Sequence, residues 1–111
     1  MSDLIYYHNS RCSKSRLGLA LLEGHSFQIR DYLKDPLNKE ELAQLFDALG
    51  KSPSEVIRKK EAKDLGLSGL SEENWLLAIA ENPILLERPI LTNGIKAVIG
   101  RPPELISDLI K

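Results

Sequence analysis

The 111-residue chain carries a single cysteine, Cys12, so no intramolecular disulfide can form and a zinc site built from cysteines alone is excluded. Its two histidines, His8 and His25, make no compact ligand pattern with Cys12, and no metal site is expected. Aromatic residues are only 5% of the chain and there is one methionine. No glycine-rich phosphate loop and no aromatic cofactor box can be drawn, so no bound cofactor is expected. Neither sign of charge dominates: 15 basic residues face 16 acidic ones, which argues against a dedicated nucleic-acid partner. No apolar run approaches the ~18 residues of a membrane span. Met1-Ser2-Asp3 offers no basic region of an export signal, and a lone thiol suits the reducing cytoplasm, which is the expected location. Repeats, low-complexity tracts and linkers are also missing, and the length suits one domain over residues 1–111.

The pattern of apolar residues predicts an α/β fold. Leu4-Ile5-Tyr6-Tyr7 is continuously apolar, as a central strand buried on both faces would be. A helix is predicted from Ser13 to about Glu23, with Leu17, Ala20 and Leu21 on its inner face and Gly24 as its stop. Phe27 to Tyr32 alternates as a second strand, and β-α-β order implies parallel pairing. The middle, about 38–82, reads as a helical insert. Asn38 and Glu41 can form a capping box ahead of Leu42, Leu45, Phe46 and Leu49, with Gly50 at the end. Ser52-Pro53 opens a short helix reaching Arg58 or Lys59, and Ser71 opens another carrying Trp75, Leu76, Ile79 and Ala80. Ile90–Thr92 and Ile95–Ile99 flank Asn93-Gly94, a strong hairpin signal, and a last helix carries Leu105, Ile106, Leu109 and Ile110. The expected architecture is a mixed sheet with helices on both faces.

The chemistry gathers at Cys12. It stands where a buried strand meets a helix start, and there the free backbone N–H groups and the positive end of the helix dipole favour a thiolate. A lone cysteine is often just a small buried apolar residue. The surrounding His8, Asn9, Ser10, Arg11, Lys14, Ser15 and Arg16 make this loop a poor apolar site, which favours the reactive reading. Arg58, Arg88 and Arg101 each stand at an element boundary, and the planar fork of arginine suits a tetrahedral oxyanion. Taken singly, each of them reads more readily as a solvated surface residue, and only convergence on Cys12, which spacing alone cannot show, would change that.

Taken together, four segments resemble the glutaredoxin-coupled arsenate reductase family. They are Tyr7-His8-Asn9-Ser10-Arg11-Cys12-Ser13-Lys14-Ser15-Arg16, Arg58-Lys59-Lys60-Glu61, Glu87-Arg88-Pro89-Ile90 and Gly100-Arg101-Pro102-Pro103-Glu104, in family order over nearly the whole chain. The resemblance implies a thioredoxin-like fold with a helical insert and a cis Arg88-Pro89 bond. It also implies that Cys12 is the nucleophile, assisted by His8 and Ser15, and that Arg58, Arg88 and Arg101, with Arg16 and Asn9 from the cysteine loop, bind the oxyanion. Arsenate would be the substrate, glutathione the co-substrate and glutaredoxin the protein partner of a monomer. The chain departs from the better-known members at Ser10, where they have proline, and at Ser13-Lys14, where they have Gly-Thr, and so looks like a neighbouring branch. Two other readings stay open. One is a redox-inactive Spx-like binding regulator, whose Cys-x-x-Cys switch cannot form here because Ser15 holds the second position. The other is a glutathione-dependent oxidoreductase acting on mixed disulfides.

Overall fold

The computed structural model describes residues 4–110; Met1-Ser2-Asp3, on which the expected lack of an export signal rests, and Lys111 lie outside the described residues. Four strands, β1 (Ile5–His8), β2 (Gln28–Asp31), β3 (Ile90–Thr92) and β4 (Ala97–Ile99), form one sheet in the order β2-β1-β3-β4. β1 and β2 are parallel; β3 runs antiparallel to both β1 and β4. The mixed α/β arrangement and the central position of β1 match the thioredoxin-like expectation. Tyr6 and Tyr7 explain the apolar run of β1: Tyr6 packs with Leu22, Leu91 and Ile106 on one face, and Tyr7 with Tyr32, Leu45 and Ile90 on the other.

The first face is covered by helix α1 (Ser13–Leu21) and by the C-terminal segment Pro103–Leu109, which is a 3₁₀ helix. The inward stripe of α1 is not the expected Leu17, Ala20 and Leu21; Leu17 is 59% exposed, whereas Ser15, Gly18 and Leu22 are buried. The cause is close approach. Tyr6 donates from its hydroxyl to the Ser15 carbonyl, and a side chain at Gly18 would collide with that hydroxyl and with Ile106. A leucine cannot occupy such a position, so the helix turns its smaller residues to the sheet.

The second face carries α2 (Lys39–Leu49), α3 (Lys59–Asp64) and α4 (Glu72–Glu81), which lie between β2 and β3 in the chain. The Asn38–Glu41 capping box forms in both directions and Gly50 closes α2 in the left-handed region, as expected. The predicted helix from Ser52 to Arg58 does not form as one piece. Pro53–Glu55 is a 3₁₀ turn, Val56 and Ile57 are buried, and Ile57 bridges Leu86 as a short extended pair. Two adjacent β-branched residues favour that extended path. Arg58 then stands at the N-cap position of α3, without a side-chain capping bond, ahead of a helix the sequence pattern did not reveal. At the hairpin the side-chain oxygen of Asn93 accepts from the backbone N–H groups of Ile95 and Lys96, so Ile95 belongs to the turn, 82% exposed, and β4 begins only at Ala97.

Candidate active site

The site lies at the carboxyl end of β1. The register sets it out: His8 pairs with Asp31, and Tyr7 pairs with Ile90. One residue past β1, Asn9 therefore has Tyr32 on its β2 side and Arg88 on its β3 side, and the loop that follows delivers Cys12. Both Arg88-Pro89, as the resemblance implied, and Arg101-Pro102 are cis.

Cys12 is the extended N-cap residue of α1 and is half-buried. Its N–H donates to the Asn9 carbonyl at 3.0 Å, and its own carbonyl accepts from the Arg16 N–H at 3.1 Å. Burial pushes the Cys12 thiol up. The Ser15 N–H, the Arg88 side chain and the Lys14 N–H, all donating toward the sulfur, outweigh it and hold the thiol below its ordinary range. The rate of Cys12 alkylation against pH is accordingly expected to rise with a midpoint below that of an unperturbed thiol, and a midpoint at or above that value would remove the thiolate from the site. The direction follows from the sign: donors and positive charge favour the anion, so the reactive form persists to lower pH.

Ser15 is fully buried behind the thiol. Its Oγ accepts from the Asn9 N–H at 3.0 Å and lies 2.7 Å from His8 Nδ1. Burial lowers the His8 pKa against the pull of Asp31, with Arg16 adding to the depression. The Ser15 hydroxyl and His8 Nδ1 share one hydrogen bond, which leaves His8 Nε2 free of it. Among the described residues His8 thus connects to Cys12 through Ser15. The Asn9 side chain accepts from the Arg11 N–H at 3.0 Å, and Arg16 reaches back from an exposed position to the Ser10 carbonyl at 2.8 Å. Both side chains hold the loop in shape.

Of the three distant arginines, Arg88 and Arg58 lie within electrostatic reach of Cys12, and Arg101 joins them through the Arg88 carbonyl. Arg88 is near enough to Cys12 to lower its pKa, while its buried Nε and Nη1 have no hydrogen-bond partner among the described residues. Arg101 Nε donates to the Arg88 carbonyl at 2.8 Å and sits 3.0 Å from Glu87 Oε2. Arg58 bonds Glu61 at 2.9 Å and lies within electrostatic reach of Cys12 and Glu87. Arg58, Glu61, Glu87 and Arg101 line one shallow cavity of about 140 Å³ together with Lys59 and Lys60. Glu61 is held below the usual carboxylate range, first by Arg58, against the opposing effect of burial, with Arg88 contributing. The cavity lining of two arginines and two lysines outnumbers its two carboxylates, so the region beside the Cys12 loop is positive and suited to an incoming anion. Sequence reasoning passed over Glu61, Glu87 and Tyr32. Glu61 could have been found three residues after Arg58 on the first turn of a helix, and Glu87 beside Arg88; Tyr32 carries no signal beyond closing a strand.

Residues 7–109 match the ArsC family. A protein of Escherichia coli K12 called uncharacterized protein YfgD is 44% identical over 94% of this chain and 93% of its own length. A protein of Neisseria meningitidis serogroup A called arsenate reductase is 40% identical over 99% of this chain and 100% of its own. Among solved structures, arsenate reductase from Vibrio cholerae superposes with a TM-score of 0.83 at 41% identity, covering 95% of both chains.

Proposed function

Because the chain belongs to the ArsC family, we propose that it reduces arsenate to arsenite through Cys12, with glutathione and glutaredoxin as the external thiols. The observation that carries the proposal is the Arg88 guanidinium, within reach of a thiol of lowered pKa and with two buried nitrogens, Nε and Nη1, that have no hydrogen-bond acceptor among the described residues. Buried guanidinium nitrogens without acceptors beside a nucleophile are costly unless a ligand supplies those acceptors. A tetrahedral oxyanion supplies both the charge and the acceptors.

In the proposed reaction the Cys12 thiolate attacks arsenic. A protonated arsenate oxygen leaves as water, taking one proton from the medium, and an S–As bond forms. Arg88, with Arg58 and Arg101 behind it, neutralises the remaining oxygens and orients them, an electrostatic and positioning contribution. His8 and Ser15 keep the loop N–H groups aimed at the sulfur. Arsenic(V) then needs two electrons. Cys12 has no resolving cysteine in this chain, so glutathione provides the second sulfur: the S–S bond of a Cys12–glutathione mixed disulfide forms, the S–As bond breaks, the glutathione thiol proton passes to an arsenic-bound oxygen, and arsenite leaves. Glutaredoxin removes the glutathionyl group and restores the thiol. These thiols place the reaction in a reducing compartment such as the cytoplasm. The test is arsenite formation by the purified protein with glutathione and glutaredoxin each omitted in turn. Turnover that needs glutathione and is sustained by glutaredoxin is expected; arsenite formation no faster than in the protein-free mixture would end the proposal.

A further inference from the structure

Tyr32 follows β2 immediately and is fully buried. Its hydroxyl has no hydrogen-bond partner among the described residues, the same condition as Nε and Nη1 of Arg88. The register explains why these groups belong together. Tyr32 and Arg88 flank Asn9 from its two neighbouring strands, and adjacent strands lie ~5 Å apart. Tyr32 packs in the core on the face of the sheet that the helical insert covers, and Arg88 acts on its hydroxyl electrostatically from across the Asn9 position. Arg88, Cys12 and Arg58 are all within electrostatic reach of the phenol oxygen, and the Asn9 side chain sits beside it on the donor side. The phenol proton is therefore a buried donor lacking an acceptor, next to a buried guanidinium in the same state.

A native interior rarely leaves such donors unpaired, and two convergent ones at a nucleophile mark a place for an acceptor-rich ligand. On the reading that the pocket takes a tetrahedral oxyanion, we infer that the Tyr32 hydroxyl donates a hydrogen bond directly to an oxygen of that anion, opposite Arg88. Burial raises the phenol to about 12 against the opposing pull of Arg88, so the group stays protonated and remains a donor throughout the neutral range. A donor of fixed charge is what a binding site needs when its neighbour, Cys12, is the group that ionises.

Tyr32→Phe tests this, because the ring stays in the core and only the hydroxyl leaves. Inorganic phosphate, a tetrahedral oxyanion that Cys12 cannot reduce, serves as the probe through its protection of Cys12 from alkylation. The variant is expected to need about tenfold more phosphate for half-protection, as for losing one hydrogen bond to a charged group, and to show a matching rise in KM for arsenate with KM for glutathione unmoved. Its melting temperature should stay level or rise, since an unsatisfied buried hydroxyl has been removed. Phosphate protection equal to wild type would overturn the assignment alone. A wild-type protein that neither phosphate nor arsenate protects would overturn the oxyanion pocket, and the assignment with it. A fall in melting temperature together with a changed alkylation profile in the absence of anion would make the hydroxyl structural and overturn the assignment.

Discussion

Cys12→Ser is expected to leave no arsenite formation above the rate that glutathione alone supports. The loss is complete because the cysteine does two things that no neighbour can. It supplies the sulfur that bonds to arsenic, and it accepts the second sulfur when two electrons pass to the metalloid. A serine oxygen in the same nest can do neither, as an alkoxide is not formed near neutral pH and an O–S bond is no substitute for a disulfide. The chain has no other cysteine to rescue the step. Folding should be unaffected, since the Cys12 contacts that fix the loop are backbone bonds, its N–H to Asn9 and its carbonyl to Arg16. The measurement is arsenite production with an unchanged melting temperature as control. Residual turnover in the serine variant well above the glutathione background would place the nucleophile elsewhere.

Arg88→Ala is expected to lower kcat/KM for arsenate by roughly 10- to 150-fold, the equivalent of ~1.5–3 kcal/mol for a charged hydrogen bond. Two causes act together. The guanidinium is one of the groups that hold the Cys12 thiol down, so its removal moves the alkylation midpoint to higher pH. It also carries the buried Nε and Nη1 that an oxyanion would occupy. Stability should change little, because the loss of its attraction to Cys12 and Glu61 is offset by removing two buried nitrogens that have no hydrogen-bond partner among the described residues. Arg88→Lys should recover part of the shift in the thiol but little of the anion binding, since an ammonium lacks the planar fork. Measured on a glutathionylated protein in place of arsenate, the alanine variant separates two enzymes: a general mixed-disulfide oxidoreductase would keep its activity, an oxyanion enzyme would lose arsenate turnover selectively. Equal kcat/KM for arsenate in wild type and Arg88→Ala would remove this arginine from the site.

Much of the frame was legible because it rests on local rules. The capping box at Asn38 and Glu41, the stop at Gly50 and the apolar run of β1 are properties of a few adjacent residues, and each formed where the pattern put it; the turn at Asn93-Gly94 formed too, widened to take in Ile95. Where packing decides, the pattern failed. Leu17 reads as an inner-face residue by period alone, yet the helix turns Gly18 inward because Tyr6 and Ile106 leave no room for more. Ile57 reads as part of a helix until Leu86, almost thirty residues away, offers it an extended partner.

The candidate site divides along the same line. The sequence by itself determined that one thiol must act without an internal partner, that it sits at a helix start among polar groups, and that three arginines stand at element boundaries. Those statements need only residue identity and short-range periodicity. Only the tertiary structure decided that Arg88 lies near enough to Cys12 to lower its pKa, that Arg101 holds the Arg88 carbonyl, that Glu61 and Glu87 temper the positive charge, and that a buried Tyr32 hydroxyl without a partner among the described residues lies within electrostatic reach of both Cys12 and Arg88. The physical reason is that the antiparallel pairing of β3 with β1 brings residue 88 beside residue 9, and the parallel pairing of β2 brings residue 32 to its other side. Strand register joins groups that no local spacing connects, and burial then gives each of them its chemistry.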